Sequence, residues 1–109
     1  MLIDFNAMET TVMEHFYGGE GALEAKMFRD EQNKILKGTL QSGSNIGLHT
    51  HDATSEIIFI LSGKGYVLCD GEITRLTAGD CHYCRMGSEH SLVNDGAEAL
   101  VFYAVVPTH

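Results

Sequence analysis

The sequence predicts an all-β domain, a sandwich or barrel built from short strands. Three observations point there. Glycines fall at positions 63, 71, 79, 87 and 96, the interval at which short strands turn back on themselves. Asp70-Gly71 is a two-residue hairpin turn, since that geometry needs positive φ at its centre. Two segments, Ile57 to Leu61 and Leu100 to Val106, are apolar on both faces, as strands covered on both sides are. Together these imply one domain of about ten strands.

Size and composition set the frame. With 109 residues the chain can build one hydrophobic core and little more. A hydrophobic content of 44% is too high for a disordered chain. Seven basic residues against 15 acidic ones give a formal charge of −8. That balance argues against nucleic-acid or anionic-membrane partners, which need a basic face. No signal-peptide pattern and no apolar run of membrane-spanning length is present, so no membrane span is expected. An odd set of three cysteines, Cys69, Cys81 and Cys84, suits a reducing, cytoplasmic setting better than a disulfide framework.

In chain order, residues 1–20 read as an N-terminal arm and residues 21–109 as the barrel. Asn6 and Glu9 could cap a short helix with Met8, Val12 and Phe16 on one face and Gly18-Gly19 ending it. The alternative is an irregular arm lying on the domain. Ala22 to Phe28 and Lys34 to Leu40 read as strands around the polar turn Asp30-Glu31-Gln32-Asn33. In the next apolar strand, Glu56, Ile58 and Ile60 share one parity and should line the interior. Ile57, Phe59 and Leu61 then need cover from the arm, a second sheet or another subunit. Asn94-Asp95-Gly96 is a further turn, and Pro107 stops the last strand.

The chemistry-bearing stretch runs from Gly43 to Gly63. His49 and His51 are two apart, so on a strand both side chains share a face. Glu56 has the wrong parity for the same unbroken strand, and the polar run from His51 to Ser55 supplies a turn that lets it face back. Two imidazoles and a carboxylate on rigid backbone suit a divalent transition metal. Downstream lie His82, His90 and His109. His90 sits in a second glycine-punctuated stretch, with Gly79, Gly87 and Asn94.

These two stretches resemble the two motifs of the cupin superfamily. Gly43, His49, His51, Glu56 and Gly63 match every spacing of the first motif. Gly79, Gly87, His90 and Asn94 fall at the right places of the second, with Arg85 where the family has proline. The resemblance covers residues 43–94 and is typical of small single-domain members. It implies a double-stranded β-helix, the jelly roll of RmlC-like cupins. It also implies a metal near the barrel centre held by His49, His51, Glu56 and His90. Mixed nitrogen and oxygen ligation favours Fe or Mn, which keep positions open for a ligand, with Zn or Ni as alternatives.

Other candidates follow from strand position. Tyr66, Tyr83 and His82 are candidate catalytic groups, and Tyr103 is a further strand tyrosine. Arg85, Lys37, Gln41, Ile58 and Ile60 are candidate pocket-lining residues. The Cys81-x-x-Cys84 spacing lies within a strand, so its two thiols should diverge. The expected function is a small metalloenzyme acting on a polar or anionic metabolite, of isomerase, lyase or dioxygenase type. The alternative is a noncatalytic metal-containing binding module. A homodimer is expected, because small cupins commonly pair and the two-sided apolar strands need cover.

Overall fold

The computed structural model describes residues 1–109. Ten strands form two antiparallel sheets: β1 (Thr11–Glu14), β2 (Ala22–Arg29), β3 (Asn33–Leu40), β4 (His49–Thr50), β5 (Glu56–Ser62), β6 (Lys64–Cys69), β7 (Glu72–Thr77), β8 (Cys81–Cys84), β9 (Glu89–Val93) and β10 (Leu100–Pro107). One sheet has six strands in the order β1-β2-β3-β10-β5-β8, and the other has four in the order β4-β9-β6-β7. Sequence-distant strands pair, as in a jelly roll, and the fold is the double-stranded β-helix.

The turns follow from their residues. Between β2 and β3 the Asp30 carboxylate accepts hydrogen bonds from the backbone N–H groups of Gln32 (2.9 Å) and Asn33 (2.8 Å). Asp70 (φ 49°) and Gly71 (φ 83°) both take the positive φ that a tight hairpin between right-twisted strands requires. Gly63, Gly79 and Gly87 are also at positive φ. Gly96 instead donates its N–H to Asn94 Oδ1 at 2.9 Å. Asn94 is fully buried, and its side-chain amide donates to Leu40 O and Glu98 O, both at 2.8 Å. It ties the end of β3 to the loop before β10.

Alternation along each strand places the core between the sheets. Leu36 and Leu40 on β3, Ile58 and Ile60 on β5, and Phe102 and Ala104 on β10 all point inward. Burying each large side chain contributes about 1.5–3 kcal/mol relative to exposure. The Phe102 ring lies over Gly38, where a Cβ would overlap it, so β3 needs a residue without a side chain there. The predicted parity of β5 holds: Glu56, Ile58 and Ile60 are buried while Phe59 and Leu61 are exposed.

The first twenty residues form no α-helix. Two short 3-10 turns, Phe5–Ala7 and Phe16–Gly18, flank β1, which pairs with β2 and places Val12 opposite Glu24. Met8, Val12 and Phe16 therefore share no helical face. A helix of this length is marginal without tertiary support, whereas β2 offers a free edge and Thr11-Val12 suits a strand. The segment is not the irregular arm of the alternative expectation either, since β1 is a regular edge strand of the six-stranded sheet. Phe5 stacks on the outward ring of Tyr103, with centroids 5.6 Å apart.

Candidate metal centre

Four side chains converge where the two sheets meet. The two residues of β4 pair with the start of β9, so His49 stands directly opposite His90. His51 follows at once, its N–H donating to Ser88 O at 3.0 Å. The next residues turn the chain and are clipped to the C-terminus: Ser55 N–H donates to Pro107 O, and Ser55 Oγ lies 2.8 Å from His109 Nε2. This turn changes the parity, and Glu56 enters β5 facing the histidines.

Each ring is held from behind at Nδ1. His49 Nδ1 donates to Gly47 O at 2.8 Å. His51 Nδ1 lies 2.7 Å from Thr54 Oγ1, and His90 Nδ1 lies 3.0 Å from His82 Nε2. All three Nε2 atoms are thereby aimed at one point. His90 Nε2 is 3.1 Å from His51 Nε2 and 3.2 Å from His49 Nε2. Glu56 Oε1 is 2.9 Å from His90 Nε2, 3.1 Å from His51 Nε2 and 3.9 Å from His49 Nε2. His90, His51 and Glu56 are buried, with His49 slightly more open.

This donor set fits a cation. His49 Nδ1 donates to a carbonyl while its Nε2 faces another imidazole nitrogen, a juxtaposition of like ring atoms that a cation between them would satisfy. Burial pushes the Glu56 carboxyl up, but hydrogen bonds from His49, His51 and His90 outweigh it and hold it well below the usual carboxylate range. The centre thus offers one anionic oxygen and three nitrogens in a dry pocket, and these four residues could hold a metal ion. Orientation of ligating histidines through their second nitrogen is how proteins fix such sites.

The free space beside the histidines is about 20 Å³, lined in part by Phe16, Tyr17, Lys34, Leu36 and Phe102. That is room for about one water-sized group. The Tyr17 ring stacks on His49 with centroids 4.1 Å apart and planes 9° from parallel. Burial pushes the Lys34 ammonium down from its ordinary range, Glu56 pulls it back up, and Arg29 adds to the lowering.

The other sequence candidates are distributed unevenly. His82 contacts His90, and burial, followed by the nearby His90, lowers its pKa to about 4, so it is neutral at pH 7. Ile58 and Ile60 face inward but are packed in the core rather than lining the cavity. Tyr66 and Tyr83 are turned away, contrary to their expected place: Val67 and Cys84 take the inward parity of their strands. Tyr66 instead lies under Arg75 (5.7 Å) and exposed Tyr83 under Arg85 (5.9 Å). Arg85 is exposed on that outer side. Lys37 and Gln41 also face outward, because Leu36, Gly38 and Leu40 take the inner face of β3; Gln41 donates to Glu24 at 2.9 Å. The cationic residue that reaches the cavity is Lys34, which shares the parity of Leu36 and Leu40. Tyr17 and Phe16 carried no sequence signal, since they come from the arm.

The cupin domain family matches residues 36–106. Among curated proteins, the chain is 32% identical over 95 residues to an oxalate-binding protein of Thermotoga maritima, spanning 82% of this chain and 78% of that protein. Among solved structures, it superposes with a TM-score of 0.94 and 27% identity on a Thermotoga maritima protein described as a predicted oxalate decarboxylase, over 100% of both chains. An RmlC-like cupin from Shewanella frigidimarina superposes with a TM-score of 0.74 at 20% identity, over 93% of this chain and 86% of that one, which speaks to the fold alone. The strand order, the glycine-punctuated stretches around His49 and His90 and the match over most of the barrel give one answer: this chain belongs to the cupin family.

Proposed function

We propose that the chain binds a small dicarboxylate of the oxalate class through a divalent metal held by His49, His51, Glu56 and His90. The observation that carries this is the convergence of three imidazole Nε2 atoms and Glu56 Oε1, with Lys34 as the cationic group of the same cavity. For metal–ligand bonds of about 2.1 Å, cis donors on an octahedron lie about 3.0 Å apart and tetrahedral ones about 3.4 Å. The donor atoms lie 2.9 to 3.9 Å apart, close enough for one first-row ion, and the three nitrogens and one carboxylate oxygen suit Fe, Mn, Ni or Zn. The bound ion would supply Lewis acidity and coordination positions for carboxylate oxygens.

The residues of the chain do the rest. Lys34 neutralises a carboxylate that the metal does not. Phe16, Leu36 and Phe102 exclude water. Tyr17 stacks on His49 and closes the cavity, so a dicarboxylate of six heavy atoms enters only when Tyr17 and its arm move aside from the free space of about 20 Å³. The relative described as oxalate-binding supports this ligand class.

Binding without turnover is the reading the geometry favours, because Tyr66 and Tyr83 face outward and His82 sits behind His90. A metalloenzyme of lyase, isomerase or dioxygenase type is the second reading. Lys34 favours it, as a partly buried ammonium in the same cavity whose hold on its proton is lowered by burial. Calorimetric titration of oxalate into Mn(II)-loaded and chelator-stripped protein tests the proposal. Binding is expected only with metal, and Lys34→Met should weaken it about 10- to 100-fold, the value of one charged hydrogen bond. Equal binding with and without metal would sink it. Oxalate recovered unchanged after incubation supports the binding module; formate and carbon dioxide would establish the enzyme.

A further inference from the structure

Directly behind His90, Cys69, His82 and Cys84 bring two thiol sulfurs and a ring nitrogen within 4.8 Å of one another. The two sheets make this meeting. Cys69 ends β6 on the inward parity of Val67. His82 and Cys84 occupy the inward parity of β8, paired with Ile58 and Glu56 of β5. Cys84 is buried, while Cys69 and His82 are half-buried and open onto a surface groove shared with Asp70, Glu72 and Tyr83. Cys81 has the opposite parity on β8 and is exposed; it lines the same groove but is not one of the three converging donors. The partner of Cys84 is Cys69, fifteen residues upstream on the other sheet.

We infer that Cys69, His82 and Cys84 form a second metal site, for a thiophilic ion of the Zn(II) or Cu(I) kind. Two sulfurs and one imidazole are a soft donor set, unlike the three nitrogens and one carboxylate of the main centre. In a tetrahedral zinc site with Zn–S bonds of about 2.3 Å, ligand atoms lie about 3.4–3.8 Å apart, within the span seen here. The groove gives the ion an entrance and leaves a fourth position for water. Asp70 and Glu72 add negative charge at that mouth. Binding replaces the two thiol protons by metal–sulfur bonds and releases both protons to solvent.

Co(II) added anaerobically to phosphine-reduced protein tests this, because only thiolate ligation gives an intense near-ultraviolet sulfur-to-cobalt band. The wild type should develop that band and take up two equivalents. His49→Ala should lose one equivalent and keep the band, so failure of the main centre is read separately. Cys69→Ser, a half-exposed position whose fold is checked by circular dichroism, should abolish the band, as should Cys84→Ala. Cys81→Ser should retain it. Absence of the band in wild type, its survival in Cys69→Ser, or its loss in Cys81→Ser would overturn the assignment.

Discussion

Each histidine of the main centre is held from behind by a different kind of partner: a backbone carbonyl for His49, a threonine hydroxyl for His51 and a second imidazole for His90. Removing such a partner lets the ring rotate and typically costs 10- to 100-fold in metal affinity. Thr54→Val should therefore weaken metal binding by about that factor while leaving the fold intact, as read by competition with a chromophoric chelator. An unchanged affinity would mean that the His51 ring is fixed by packing alone. At this scale the sequence was informative about type and spacing but weaker on direction. His49, His51, Glu56 and His90 do converge. The cation was misplaced because lysines occupy both parities of β3, at 34 and 37, and Ile35 offset the inward signal of Leu36 and Leu40.

At the scale of elements, the short strand β4 depends on how the arm is seated. Phe16 O accepts the Gly47 N–H at 2.9 Å, and Glu20 O accepts the Asn45 N–H at 2.9 Å. A Cβ at Gly47 would overlap the carbonyl of Tyr17, and one at Gly19 would overlap that of Asn45. The two backbones approach so closely that only glycine fits on either side. Gly47→Ala should destabilise the protein by about 1–3 kcal/mol, visible as a lower thermal midpoint, and should displace Tyr17 from His49. A midpoint equal to wild type would show that the arm is not seated this way. The parity of β5 was legible because Glu56, Ile58 and Ile60 alternate cleanly with Ile57, Phe59 and Leu61. The arm was not, because β1 has only four residues with no clear alternation, and a segment that short does not announce its pairing with β2.

Across the whole molecule, the turn spacing carried the architecture, since glycines and Asp70-Gly71 fix where strands reverse whatever lies between them. The depth of the cavity was hidden, because its cover comes from residues 16 and 17, remote in sequence from the glycine-punctuated stretches. The outer face of the six-stranded sheet carries an apolar row in register, Tyr83-Ile57-Val105-Ile35-Phe28, crossing five strands. Phe59, Tyr83 and Tyr103 are exposed on that face. We propose that a second copy covers it through a two-fold contact, the commonest way such a face is buried. Light scattering should give a dimer mass for wild type and a monomer mass for Ile57→Lys; a monomeric wild type at micromolar concentration would refute the contact.

No helix is long and apolar enough to cross a membrane. What the molecule offers is a barrel that brings donors from β4, the turn after it, β5 and β9 to one point, so the four-ligand centre exists only in the folded chain. Elemental analysis of protein purified without added metal tests that centre most directly, with wild type set against a folded His90→Ala variant. The geometry predicts that wild type carries one more equivalent of a first-row transition metal than the variant. Equal metal content in the two proteins would contradict it.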